Sequence, residues 1–432
     1  MLKSKNLWFI SVVYVGLLAA CQASTPSPVI VTPTPTTALA TPTAIPTQAP
    51  TPTPSVRGKV TLWLSWDPLE LATLQQAIAV FHDRYPEVTF AIVYYPEDVL
   101  RAAIENITEE GTAPSIIFAA TSWGPWLWQS GLVLDLTSIT DAELEATINP
   151  LAWAQVIYDS AILGLPMEMH GVFLFRNRLL VQEPVGTLEE LVSVAQQLKG
   201  TRVVGAGLDL GFTYSVSQLA ACDGELFDES GALAINNEAG ICWLTLLRSM
   251  REAGQVTFNT DDDLKLFEEG RSAWLIEESY KVPRLRQVVG PSNLVVDPWP
   301  IYQETGKQLA GFVWTENVYF VEGSEPVDFE ASWAFVRYLL TPEAQLIMSD
   351  PNGAYHLPAV KDLELTDALQ AQMFASLSTG VSYPLLPNLD LYIEPLEAAV
   401  RWIAIHGATP ELALDTAVRK VDQALALSGG QD

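Results

Sequence analysis

Gly111 to Leu136 reads G-T-A-P-S-I-I-F-A-A-T-S-W-G-P-W-L-W-Q-S-G-L-V-L-D-L, and the choice of fold class turns on it. Gly111 to Pro114 is a turn signal. Ser115 to Ala120 is a short apolar run, long enough for a buried strand. The run ends on two hydroxyl residues, Thr121 and Ser122. Trp123, Trp126 and Trp128 follow; 126–130 reads as a short helix closed by Gly131, and 132–136 as an edge segment. In an open α/β sheet, ligands bind at the carboxyl ends of strands. A buried strand that carries hydroxyls and indoles to its own end therefore suggests the wall of a binding site. Ordinary helix core would explain the indoles equally well.

Upstream, Val60 to Trp66 (V-T-L-W-L-S-W) alternates and is rich in strand formers. Asp67-Pro68 suits an N-cap and first helical position. Apolar residues at Leu71, Leu74, Ala77, Ile78 and Phe81 predict a helix over 69–85, which Pro86 stops. A second strand is expected over 88–95 and a second helix over 96–110. The order β-α-β-α-β indicates a parallel, doubly wound layer.

The N-terminal part has a different character. Lys3 and Lys5 precede an apolar stretch from Leu7 to Ala20, too short for a comfortable span, as in a secretory leader. Leu18-Ala19-Ala20-Cys21 resembles a bacterial lipobox, which implies cleavage before Cys21 and lipid attachment there. Residues 21–57 are dominated by Thr, Pro, Ala and Ser. Such sequence favours extended polyproline II, and at about 3.1 Å per residue it could hold a folded load up to roughly 100 Å from a membrane.

The formal net charge is −28. Nucleic acid is excluded as a partner, because its phosphates require a basic surface. A hydrophobic fraction of 49% over 432 residues allows a large core in one or two domains. Cys222 and Cys242, twenty apart, lack the C-x-x-C spacing of a zinc or redox site. A structural disulfide and two buried thiols both remain open for them.

No catalytic or metal motif is present. His82, His170, His356 and His406 are scattered, without H-E-x-x-H or an i, i+4 pair. There is no G-x-S-x-G elbow or phosphate-binding loop, and Gly205-Ala206-Gly207 lacks the third glycine of a dinucleotide fingerprint. Asp261-Asp262-Asp263 reads as a helix cap and first turn, since a calcium loop's spacing is missing. Glu277-Glu278 could serve a glycosidase, but neighbours on a strand point to opposite faces. No enzyme activity, no metal and no cofactor are expected.

A set of segments in order resembles the family 1 extracellular solute-binding proteins, the maltose-binding-protein-like receptors of sugar ABC importers. They are V-T-L-W-L-S-W, F-H-D-R-Y-P-E-V, G-T-A-P-S-I-I-F with Q-S-G-L-V-L-D-L, Gly164-Leu165-Pro166 leading to Phe173-Leu174-Phe175-Arg176-Asn177, G-T-L-E-E-L at Gly186, F-E-E-G-R-S-A-W at Phe267, and A-S-W-A-F-V-R-Y-L-L-T-P-E-A-Q at Ala331. Leu188 departs from the family's usual Trp. The resemblance implies an α/β, two-lobed periplasmic-binding-protein fold of type II, each lobe a mostly parallel mixed sheet flanked by helices. The N-lobe would comprise 58–169 and 315–372, the C-lobe 171–311 and 376–428. The hinge would be crossed near Met169–Val172, Gly311–Phe312 and Met373–Ser378.

The same resemblance implies a monomeric, exported receptor, anchored through Cys21, that delivers a mono- or oligosaccharide to the transmembrane subunits of an ABC permease. Positions carried over from the family are Trp66, Asp67, Thr121, Ser122, Trp123, His170, Phe212, Tyr214, Glu277, Tyr280, Trp314, Glu316, Asn388 and Tyr392. Aromatic faces suit the C–H face of a pyranose, and the polar groups suit its hydroxyls. Phe212, Tyr214 and Tyr280 would face the Thr121–Trp123 wall. The loop Trp314-Thr315-Glu316-Asn317 is bulkier than is usual in the family. Acids at Asp67, Glu168, Asp209, Glu277 and Glu316 leave a cationic solute, such as a polyamine or betaine, or a sensor role, as alternatives.

Overall fold

The computed structural model describes residues 56–107, 113–228 and 231–428. The leader, Cys21, nearly all of the Pro/Thr-rich segment and the Gly111–Thr112 turn lie outside them. The first strand, Gly58–Leu64, alternates in burial, with Val60, Leu62 and Leu64 fully inside. It pairs in parallel with Val88–Tyr94 on one side and Ile116–Ala120 on the other. The helix between the first two, Pro68–Arg84, starts on a capping box: Asp67 accepts the N–H groups of Leu69 and Glu70, and Glu70 accepts that of Asp67. The next helix is shorter than expected. It covers Glu97–Glu105 and ends at Asn106, whose side chain and backbone N–H both donate to Ala102 O, at 2.7 and 3.3 Å.

Most of the remaining strands of this sheet pair antiparallel, where a mostly parallel sheet was expected. Phe312–Phe320 runs antiparallel to Ile116–Ala120 and to the 13-residue strand Leu165–Asn177. This long strand changes partners midway. Residues up to Gly171 pair with Phe312–Phe320, while Val172 to Arg176 pair with Trp274–Glu278, and Leu174 to Asn177 with Leu294–Asp297. The mixed sheet thus curls from one half of residues 54–432 into the other.

Side chains of the far half of the strand alternate between two cores, as a period of two requires. Val172 and Leu174 join Leu208, Phe212, Trp243, Trp274 and Leu396. Phe173 and Phe175 join Leu285 and Leu294 in a core that continues through Met169 to Phe118, Leu62 and Phe335.

Two of the stretches expected to cross between halves, Met169–Val172 and Gly311–Phe312, lie side by side; the third, Met373–Ser378, falls at the end of the helix Ala368–Ser376, and the strand beside them is Val381–Ser382 instead. Val381–Ser382 pairs in parallel with Phe312–Val313, which in turn pairs with Gly171 through Val313. The approach is close enough to require glycine. A Cβ on Gly311 would sit 2.0 Å from Val172 O, and one on Gly380 would sit 2.2 Å from Val313 Cγ2. Cys222 and Cys242 are joined by a disulfide with Cα atoms 5.8 Å apart, pinning the turns of 216–222 to the helix Glu238–Glu252.

Candidate functional site

A cleft runs between the two halves, made of a cavity of about 530 Å³ and two others of about 290 and 260 Å³. Tyr280 borders all three. Trp314 and Glu97 border the two largest, and Thr213 and Glu278 the two smaller.

On the first half, Trp66 follows the end of the first strand. Its indole packs edge-on against Phe118 and His356, at 4.8 and 5.3 Å, and donates to Glu316 Oε1 at 3.3 Å. Asp67 borders the large cavity, but one carboxylate oxygen already caps the helix. Thr121 is buried and donates to Gln155 O at 2.6 Å, so Ser122 is the exposed hydroxyl of the pair. Trp123 borders none of the three cavities. It lies edge-on to Trp126 at 6.1 Å, in the cluster around Ile117, Leu127 and Tyr319.

The floor is a chain of acids and imidazoles. Glu168, on the long strand, meets His170 Nε2 at 3.2 Å and contacts His356 on its other oxygen. His356 Nε2 lies 3.4 Å from Glu70. Burial pushes the Glu168 carboxyl up, but the two imidazoles outweigh it and hold it down at about 2. Burial likewise lowers His356, and the carboxylates overcome it, raising the imidazolium to about 10. Glu316 has no such partner. Burial, with Glu168 and Glu70 close by, pushes it well above the carboxylate range. The His170 ring stacks on Trp314 at 5.8 Å, and its Nδ1 meets the Ser279 hydroxyl at 3.2 Å.

The second half supplies Asp209, Asp263, Glu277 and Glu278 to the smallest cavity. Both Glu277 and Glu278 border it, contrary to the alternation expected of strand neighbours. The strand ends at Glu278 and turns into Ser279–Lys281, which swings the second carboxyl round. Tyr214 donates to Glu277 Oε1 at 3.1 Å. Burial raises Glu277 and Asp263 to about 7, Asp263 further through the charge of Asp209.

Three more expected contacts lie elsewhere. Phe212 opens a short helix, Phe212–Ser215. It is 2% exposed because its ring is wanted in the core beside Phe312. Tyr392 is 6% exposed against Phe227. Asn388 is exposed and borders none of the three cavities. Conversely, Tyr383, Glu70, Glu97, Ser279 and His356 border the cleft without having been singled out as contacts. The spacing E-x-H at Glu168 and His170, which puts both on one face of a strand, was a readable signal. Nothing local marks Glu70 or His356.

An α/β protein with a curled mixed sheet and a polar, aromatic cleft between its halves has the build of a solute receptor. Residues 76–375 match the family described as bacterial extracellular solute-binding protein, and the chain is a member of that family.

The maltotriose-binding protein of Pyrococcus abyssi is 23% identical over 297 residues, which is 66% of this chain and 63% of that protein, so the match spans under two thirds of the relative's length. Among solved structures, an extracellular solute-binding protein from Staphylococcus aureus in complex with maltose superposes with a TM-score of 0.74 at 19% identity, over 87% of this chain and 99% of that one. The cyclic alpha-maltosyl-1,6-maltose binding protein from Arthrobacter globiformis gives 0.73 at 16%, over 85% and 99%. The GacH receptor of Streptomyces glaucescens, solved unliganded and with acarbose, gives 0.68 at 19%, over 85% and 97%. At these identities the likeness is one of fold.

Proposed function

We propose that the protein is the extracytoplasmic substrate-binding lipoprotein of an ABC importer, and that it takes a carbohydrate into the cleft and delivers it to the permease. The observation that carries this reading is the cleft lining: Tyr280, Trp314 and Tyr383 stand among Ser122, Thr213 and a surplus of carboxylates. Rings of this kind stack on sugar C–H faces, and the acids and hydroxyls take up sugar hydroxyls. The relatives named above, which bind maltose, maltotriose or acarbose, point the same way. Ser122, Tyr214, Glu277, Tyr280, Trp314 and Glu316 are the contacts retained from the sequence, with Tyr383 added. Phe212 and Tyr392 are left out, being core.

Cys21 is the proposed lipid anchor, with the Pro/Thr-rich segment as spacer and the lobes divided as the sequence suggests. Because a ligand selective for the folded state raises the melting temperature, the test is thermal unfolding against a panel of maltooligosaccharides and polyamines. Stabilisation by a sugar is the expected result. A shift with polyamines alone would transfer the site to cationic solutes, and no shift with any solute would sink the reading.

A further inference from the structure

Glu70, Glu168 and His356 come from three distant parts of the chain and meet at the edge of the 530 Å³ cavity. One donor atom from each lies within 4.8 Å of the others. Glu70 sits in the first turn of Pro68–Arg84, where the Asp67 N–H holds its Oε2 at 2.7 Å and leaves Oε1 toward His356 Nε2 at 3.4 Å. Glu168 is 2% exposed. His170 engages its Oε1, leaving Oε2 against His356 Nδ1. His356 is 5% exposed and directly precedes the short strand Leu357–Pro358.

Two observations indicate that these groups do more than neutralise one another. Glu168 Oε2 and both ring nitrogens of His356 are buried without a hydrogen-bond partner, although each stands at ion-pair distance from an opposite group. Buried polar atoms are nearly always hydrogen-bonded, and unsatisfied ones call for an unseen water or ion. Charge gives the second observation. Two carboxylates, Glu70 and Glu168, share the single His356 imidazole. Arg284, the one fixed base bordering the cavity, spends its guanidinium on Glu268 at 2.5 and 2.8 Å.

We infer that Glu70, Glu168 and His356 form a site for a divalent cation of the Zn²⁺ type, with an open coordination position toward the cavity. An imidazole with two carboxylates suits such an ion. Bonds of about 2.0–2.2 Å in a tetrahedron place donors roughly 3.3–3.5 Å apart; Glu70 Oε1 and His356 Nε2 already stand at 3.4 Å, while Glu168 Oε2, which lies against Nδ1, has to turn away from that nitrogen to join them. His170 on Glu168, and the capping box on Glu70, supply the outer hydrogen bonds that orient ligating side chains. The ion replaces the imidazole proton, and its open position faces any solute in the cleft.

The test uses the full chain, stripped with a chelator and titrated without sugar: ZnCl₂ by calorimetry, CoCl₂ by visible absorption. One saturable site is expected, with the absorption bands of low-coordinate Co²⁺. His356→Ala abolishes it, and Glu70→Gln weakens it by about ten- to a hundredfold. Glutamine keeps the capping box, so Glu70→Gln decides the matter if His356→Ala does not fold. No saturable binding to the folded protein overturns the inference, as does a site indifferent to both substitutions. Sugar-induced stabilisation, measured separately on stripped protein, reports on the sugar reading alone.

Discussion

Tyr280 is 54% exposed and borders every part of the cleft, so its ring is available to ligand and carries little of the core. Tyr280→Ala is therefore expected to weaken sugar binding by about 1 kcal/mol or more, roughly fivefold, with the melting temperature of the free protein unchanged. Trp123 is the natural control. Its indole packs with Trp126, and Trp123→Ala should cost stability and leave affinity nearly intact. Calorimetric titration of both variants with the same sugar separates the two outcomes.

Glu277 makes a pH prediction whose sign is set by its raised pKa. The folded protein holds the carboxyl at about 7 against an ordinary 4.5, so it favours the neutral form. The stability this contributes is present below pH 4.5 and is lost as pH rises toward 7. Both hydrogen bonds to the group, from Tyr214 and from the Glu278 N–H, fall on Oε1, which an amide oxygen can replace. Glu277→Gln should match the parent near pH 4 and exceed it at pH 8, by on the order of 2–3 kcal/mol. Equal melting temperatures at pH 8 would contradict the shift.

Residue roles were the least legible part of the sequence, for a physical reason. Phe212 and Tyr280 are both aromatic residues at promising positions, and only tertiary packing decides which ring is swallowed. His356 offers no motif, because its partners are Glu70 and Glu168, joined to it by folding alone.

At the scale of elements, the opening β-α-β-α-β layer was readable from alternation, the Asp67 cap and the apolar helical rhythm, and its strands pair in parallel. What the local pattern could not convey is that Phe312–Phe320, arriving from far along the chain, slots in antiparallel beside Ile116–Ala120. Pairing between remote strands leaves no mark on local periodicity. The disulfide was likewise undecided by spacing alone. Its expected contribution follows from the loop it closes: replacing Cys222 and Cys242 by alanine should cost about 2–4 kcal/mol. Denaturant unfolding would measure it, and a midpoint unchanged from the parent would show that the covalent link is dispensable.

For the whole molecule, an ion pair ties the proposed lobes together. Arg286, on the helix Val282–Val289, bonds to Asp367 at 2.8 Å with its guanidinium 5.1 Å from the Tyr355 ring. Asp367 also accepts from Tyr355 and from the Gln370 N–H, so it is held firmly in place. Arg286→Ala is expected to lower the melting temperature and to increase the radius of gyration of the ligand-free protein in small-angle scattering. An unaltered radius would place the restraint on lobe motion elsewhere.

The strand Leu165–Asn177 has a mechanical consequence. At about 3.3 Å per residue it extends roughly 43 Å, with its two ends bonded into different parts of the curled sheet. Such a member is stiff in tension and soft in twist. Any movement of one half against the other must pass through it as torsion, concentrated where its partners change at Gly171 and Val172. It would act as a torsion bar, so the travel of the cleft walls would be a rotation about its length, and its resistance to twisting would set how far they swing.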